Sequence, residues 1–289
     1  MPIQWYPGHM AKAKREITEV LPLVDIVLEI RDARIPISSK NPMIDEILKN
    51  KPRLILLNKA TLADKTDTKK WLNELTKGNV YALDIDSITG FNMNKIQPLI
   101  REILKERLDA LREKGLVNKS LKALVVGIPN VGKSTFINTM AKRKVAKTGD
   151  KPGVTKNQTW LRISDNLQFL DTPGILWPKF ESQEVGINLA ICGSIKDEIV
   201  DLSLVTLSAL KYIYKYYPSF LKERYSLEDS NLYLDENDSA LPIADAIAKK
   251  RGCLLKKNEY DYDRVFTLVM NDIRNDRIGA MTFEKVGQC

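Results

Sequence analysis

From Val24 to Leu170 the chain alternates short, almost continuously apolar runs with segments whose apolar residues recur every three or four positions. The runs VDIVLEI (24–30), RLILLN (53–58), VYALDI (80–85), KALVVG (122–127) and LQFLD (167–171) predict strands. Runs apolar on both faces suit a parallel sheet covered on each side by helices. Between them, 41–49, 68–77, 92–114 and 133–141 carry helical periodicity. This alternation predicts a doubly wound, mostly parallel α/β domain. Beyond residue 180 the strand pattern fades, and 203–217, 241–251 and 261–274 predict a small all-α domain. Pro218 and Pro242 fit helix boundaries. The expected organisation is a first domain over 1–180, with 113–120 connecting its two halves, and a helical domain over 181–289.

Composition narrows the class. A chain of 289 residues, 44% hydrophobic and 28% charged, is ordinary for a folded globular protein and excludes extensive disorder. No apolar run is long enough for a membrane span, and the N-terminus MPIQWYPGHM lacks the pattern of a signal peptide. Cys192, Cys253 and Cys289 form no CxxC pair, offer no metal site and read as reduced thiols of a cytoplasmic protein. Net charge is +8, and it is uneven: +7 falls within 121–180, whereas 181–289 sums to −4. A basic excess points to nucleic acid or anionic ligands without choosing between them.

The choice comes from Gly127-Ile128-Pro129-Asn130-Val131-Gly132-Lys133-Ser134, a GxxxxGKS sequence that follows an apolar strand and opens a helix. Its glycines let successive backbone N–H groups and the helix N-terminus, through Val131, Gly132 and Thr135, point at phosphate oxygens. Lys133 supplies positive charge near the β- and γ-phosphates, and the Ser134 hydroxyl suits Mg²⁺. Further on, LQFLDTPG ends a strand in Asp171, which places a carboxylate near the metal and the Gly174 N–H near the γ-phosphate. Thr155, in the loop DKPGVT, is the second hydroxyl expected on Mg²⁺ when a γ-phosphate is present. Base recognition belongs at another strand's carboxyl end, where Asn58-Lys59 closes RLILLN.

The set NKxx, GxxxxGKS, loop threonine and DTPG resembles translation-factor-type GTPases, but with the base motif first, the order of a circularly permuted GTPase. The phrases WYPGHMAKA, RDARIPISSKNP, GIPNVGKSTFIN and DTPGILWPKF are similar to those of the ribosome biogenesis GTPase A (YlqF) family over nearly the whole chain. That resemblance implies a GTPase acting late in assembly of the large (50S) ribosomal subunit. Its partners would be GTP and GDP, rRNA and ribosomal proteins, with turnover slow until the particle stimulates it. It also implies a C-terminal helical domain that helps dock on RNA, although only Lys249-Lys250-Arg251 and Lys256-Lys257 form basic patches there.

Several positions depart from the usual pattern. The guanine motif NKxD ends here in Thr61, and a neutral hydroxyl accepts less strongly than a carboxylate, which predicts GTP affinity weakened by about 1–3 kcal/mol. The second base loop falls around Asp86-Ser87 in DIDS rather than SAK. Ile175 occupies the place after DTPG where Ras-like enzymes carry a water-orienting glutamine. His9, the sole histidine, is the candidate catalytic substitute, against the alternative of a helix-capping role. Asn130 matches the position that holds K⁺ in cation-activated GTPases, against the alternative of a turn asparagine. Tyr212, Tyr214, Tyr216 and Tyr217 read as packing aromatics rather than base-stacking platforms. The expected protein is a monomeric, non-membrane GTPase. The alternatives are a nucleotide-gated RNA-binding module with negligible turnover, or a GTPase serving another RNA-linked or membrane process.

Overall fold

The computed structural model describes residues 7–48, 51–116, 120–143, 160–172 and 182–288, without the side chains of 7–13 and 258. The chain divides into two compact units, one comprising 1–180 with 284–289 and the other 181–283.

The first unit is built on six strands: β1 (Ile26–Asp32), β2 (Arg53–Asn58), β3 (Val80–Asp84), β4 (Leu121–Val126), β5 (Trp160–Ser164) and β6 (Leu167–Asp171). Their order is β3-β2-β1-β4-β6-β5, parallel throughout except for the β5–β6 hairpin. The helices are α1 (Pro7–Val20), α2 (Pro42–Leu48), α3 (Lys65–Leu75), α4 (Ile96–Ile103), α5 (Lys105–Glu113) and α6 (Lys133–Ala141). This is the predicted doubly wound sheet, with two differences. The antiparallel edge strand β5 was not predicted, and the single helix expected over 92–114 breaks at Leu104 into α4 and α5.

Helices cover both faces of the sheet, which explains why the parallel strands are apolar throughout. On one face Ile17 of α1 and Ile44, Ile47 and Leu48 of α2 pack with Val27, Leu124, Val126 and Leu170. On the same face, by register, Trp71 of α3 packs with Ile55 and Leu57. On the other, Phe136 of α6 stacks on Phe169 with ring centroids 5.6 Å apart. The chain passes from β1 outward to β3 and then returns to β4 on the opposite side of β1. Such a reversal opens a crevice at the strands' carboxyl ends, where open α/β sheets bind ligands.

One buried feature of this sheet is polar. Glu29 and Arg31 of β1 pair at 2.7 Å with both side chains 2% exposed, and Arg53 of β2 joins Glu29 at 3.1 Å. Arg31 also donates to the Pro36 carbonyl at 3.1 Å, so the charged cluster shapes the segment that follows β1. The C-terminal segment fastens the same stretch. Glu284 is buried and its carboxylate accepts from the backbone N–H groups of Ile37 at 2.6 Å and Ser38 at 2.8 Å. Its carbonyl accepts from Trp71 Nε1 at 2.9 Å, and Lys285 pairs with Asp67.

The second unit is helical: α7 (Gln183–Ile191), α8 (Leu202–Tyr216), α9 (Pro218–Tyr225), α10 (Leu241–Arg251) and α11 (Tyr262–Arg274). Local chemistry sets the boundaries. Ser182, Asp201 and Asp261 cap the first turns of α7, α8 and α11, Pro218 and Pro242 start α9 and α10, and Gly252 ends α10 in the left-handed region. Arg274 donates to the carbonyls of Ala190 and Ile191 and pairs with Asp197, closing the C-terminus of α7. Arg224 grips the buried Asp272 through two 2.9 Å bonds. Tyr212 and Tyr217 donate to the Thr282 carbonyl at 3.0 and 3.3 Å, so these tyrosines pack inside the unit. Cys192 and Cys253 are buried.

Candidate functional site

β4 delivers the chain into the glycine-rich loop, and backbone geometry fixes which residues fit there. A Cβ at Gly127 would lie 2.8 Å from the Ile30 carbonyl oxygen of β1. At Gly132, where φ is +91°, it would lie 2.4 Å from Asn58 Nδ2. Asn130 also takes a positive φ, of 63°, in the tight turn before α6. Ser134 and Thr135 occupy the first turn of α6, half-buried, where free N–H groups and the helix dipole favour an anion.

The loop is held from β2. Asn58 Nδ2 donates to the Val131 carbonyl at 2.7 Å, while its Oδ1 accepts from the Ser87 N–H at 3.0 Å and the Ser87 hydroxyl at 2.9 Å. Lys59, itself in the left-handed region, donates through Nζ to the Asn130 carbonyl at 2.8 Å. Thr139 of α6 donates to the Ser87 carbonyl at 2.8 Å. The sequence elements NK, DIDS and GxxxxGKS therefore form one hydrogen-bonded body at the ends of β2, β3 and β4.

Two further groups complete it. Asp32, at the end of β1 and fully buried, receives Arg34 through bonds of 2.9 and 2.8 Å and pairs with Lys59 Nζ at 3.0 Å. Burial alone would raise this carboxyl's pKa, but the charges and hydrogen bonds of Arg34 and Lys59 hold it well below its ordinary range. Asp86 Oδ1 accepts from the N–H groups of Ile88 at 2.8 Å and Thr89 at 2.9 Å, and its Oδ2 accepts from the Thr61 hydroxyl. Here too burial opposes ionisation, and the bonds from Thr61, Thr89 and Ile88 outweigh it and lower the pKa.

On the other side of the phosphate loop, Lys133 Nζ donates to Asp171 Oδ1 at 2.7 Å and to the Thr172 carbonyl. Thr172 donates its hydroxyl to the Val125 carbonyl at 2.8 Å, which ties the start of DTPG to β4. Ser134 and Asp171 bring a hydroxyl and a carboxylate to the loop, the oxygen donors that suit Mg²⁺ bound together with phosphates. Among the described residues no group of three or more His, Cys, Asp or Glu is placed to hold a metal ion.

The structure thus brings Asn58, Lys59, Thr61, Asp86, Ser87, Asn130, Val131, Gly132, Lys133, Ser134, Thr135 and Asp171 to the carboxyl end of one sheet. Thr155, Gly174 and Ile175 lie outside the described residues, as does the side chain of His9 on α1. Asp32 and Arg34 were not assigned from sequence. The signal available was a charged pair two residues apart at the end of an apolar strand. Of the basic patches, Arg251 is engaged inside the second unit, donating to the Arg224 carbonyl with its guanidinium 5.4 Å from the Tyr225 ring centre.

Comparison with known proteins bears on this geometry. The family model described as 50S ribosome-binding GTPase matches residues 122–248, a segment that begins in β4 and includes the phosphate loop. Ribosome biogenesis GTPase A of Bacillus licheniformis is 51% identical over 285 residues, covering 99% of both chains. A GDP-bound structure of YlqF superposes with a TM-score of 0.64 at 25% identity, over 94% of this chain and 99% of its own. GNP-bound YlqF from T. maritima superposes with a TM-score of 0.61 at 26% identity, over 95% of this chain and 98% of its own.

Proposed function

The chain belongs to the ribosome biogenesis GTPase A family, and on that premise we propose that it is a GTP-hydrolysing assembly factor that matures the large ribosomal subunit. The observation that carries this reading is the direct fastening of the base-recognition strand to the phosphate loop, Asn58 to Val131 and Lys59 to Asn130. A site so joined holds base and phosphates as one rigid ligand frame, which a nucleotide switch requires.

Lys133 and Asp171 do the electrostatic work. Their mutual pair is buried and carries no net charge; with nucleotide bound, Lys133 would contact phosphate and Asp171 would face the metal. Ser134 and Asp171, with Thr155 as third candidate, would hold Mg²⁺, which would supply positive charge against the phosphates. Asn130 is the candidate for a K⁺ ion with a similar charge-neutralising role. His9 is the candidate for orienting the attacking water, because the Ile175 side chain has no hydrogen-bonding atom to offer. In sequence Asp171 lies shortly before the second unit begins, so γ-phosphate contacts near it would have a short covalent route to that unit.

In this reading the protein acts as a cytoplasmic monomer. Among the described residues no helix is long and apolar enough to cross a membrane. Its turnover rises on the ribosomal particle. The test is sedimentation with large-subunit particles in a GTP analogue and in GDP, with phosphate release measured with and without particles. Analogue-dependent sedimentation together with stimulated release supports the proposal; sedimentation indifferent to nucleotide overturns it.

A further inference from the structure

A site that selects guanine must accept hydrogen bonds from the ring N–H and the exocyclic amine of the base, and the position expected to do so carries Thr61. A threonine hydroxyl is a donor as well as an acceptor, and a donor facing those N–H groups repels them. The structure removes this ambiguity. Thr61 is exposed, and its only hydroxyl proton is committed to Oδ2 of the buried Asp86. Asp86 in turn is fixed through Oδ1 by the N–H groups of Ile88 and Thr89. The two residues lie just beyond the carboxyl ends of the adjacent parallel strands β2 and β3, at the same edge as Asn58 and Ser87.

We infer that Thr61 and Asp86 form a two-residue acceptor relay that reads the guanine edge: Asp86 supplies the negative charge, and Thr61, its proton given to Asp86, presents only lone pairs outward. This inference rests on the reading of the site as a guanine-nucleotide site and deepens it. A hydroxyl that donates to a carboxylate is a stronger acceptor than a free one, because hydrogen bonds in a chain polarise each other. The relay thus delivers part of the charge that a carboxylate at position 61 would place there directly. Asp86 stays ionised at neutral pH, since its hydrogen bonds keep its carboxyl below the ordinary value.

The relay predicts specific couplings. Thr61→Val keeps shape and removes the acceptor; Asp86→Asn keeps an oxygen for the Ile88 and Thr89 N–H groups and removes the charge. Equilibrium binding of GTP and ATP to the full chain should show each single variant losing at least about tenfold of its GTP-over-ATP preference. ATP affinity should stay unchanged, and the double variant should be no worse than the weaker single one, because both break the same relay. Thr61→Ser, which keeps the hydroxyl, should retain the preference. Thr61→Asp should improve GTP binding only when combined with Asp86→Asn, since the two carboxylates otherwise repel each other. If Asp86→Asn proves unfolded, the contrast between Thr61→Val and Thr61→Ser decides. Wild-type preference retained by folded Asp86→Asn, by Thr61→Val, or lost independently by the two changes overturns the relay while leaving the guanine site intact. A wild-type chain that does not prefer GTP to ATP overturns the guanine reading itself.

Discussion

Lys133 Nζ stands 2.7 Å from Asp171 Oδ1, with both side chains only 7% exposed. Each is thereby the other's counter-ion at the point where the phosphate loop meets the strand leading to DTPG. Removing one partner of a buried pair strands the other charge, which costs more than the pair itself contributes. Lys133→Ala should therefore lower the unfolding free energy of the nucleotide-free protein by at least about 2 kcal/mol. Lys133→Ala/Asp171→Ala should recover part of that loss. Urea denaturation of the two single variants and the double variant measures the coupling. Additive losses would mean that the pair carries no interaction energy. Lys133→Ala should also abolish GTP hydrolysis.

Gly132→Ala tests the fit of the loop against β2. The added carbon would lie 2.4 Å from Asn58 Nδ2 on a backbone held at φ +91°. It therefore meets both a steric block and a conformation that side chains disfavour by about 1–3 kcal/mol. Asn58 must then release either Val131 or Ser87, and GTP affinity should fall at least about tenfold. Gly78→Ala, also at positive φ but with open space around the new carbon, is the control for backbone strain alone. It should leave nucleotide binding unchanged. Equal GTP affinity in the two variants would contradict the contact argued for Gly132.

The difference between these glycines shows what a sequence makes legible. GxxxxGKS is contiguous, so its strand–turn–helix context and the roles of Lys133 and Ser134 are readable along the chain. The parallel sheet is equally readable, because strands buried on both faces are apolar throughout. β5 escaped because it is a half-buried edge strand: Trp160 and Leu161 are partly covered and Arg162 is exposed, so it shows no continuous apolar run. The break at Leu104 escaped because apolar periodicity continues across it. The contacts of Lys59 with Asp32 and of Thr61 with Asp86 depend on strand order, which sets β1 beside β2 and β2 beside β3. No local pattern encodes them.

Glu284 offers a test of the C-terminal segment. Its carboxylate accepts two backbone N–H groups, from Ile37 and Ser38, and is 3% exposed as a residue. Glu284→Ala leaves both donors without that partner, and unsatisfied buried groups cost about 1–3 kcal/mol each. Denaturation of the first unit should shift accordingly. Lys285→Ala, which removes the partly exposed pair with Asp67, should shift it by less than about 1 kcal/mol. Glu284→Gln, retaining one acceptor oxygen, should fall between wild type and Glu284→Ala. Identical stability of Glu284→Ala and wild type would show that the segment does not fasten the loop after β1.

Asp32 makes the stability of this region depend on pH in a defined direction. Its carboxyl is lowered from an ordinary value of 3.8: burial acts against the shift, and the charges of Arg34 and Lys59 overcome it. A group whose pKa is depressed on folding stabilises the native state above its unfolded pKa and loses that contribution as pH falls through the folded one. The contribution is thus complete at pH 7, begins to fade near pH 4 and declines further below it. Asp32→Asn removes the charge while leaving Arg34 and Lys59 in place, so it should destabilise the protein most near neutrality. The gap between Asp32→Asn and wild type should be constant from about pH 7 to 5 and narrow as the pH drops below 4. Chemical denaturation across that range measures it. A gap that widens on acidification would mean that Asp32 titrates upward on folding, contrary to the clamp formed by its two cations. Because the same lysine donates to the Asn130 carbonyl, GTP affinity at pH 7 should also fall in Asp32→Asn. Wild-type affinity there would show that Lys59 keeps its hold on the phosphate loop without Asp32.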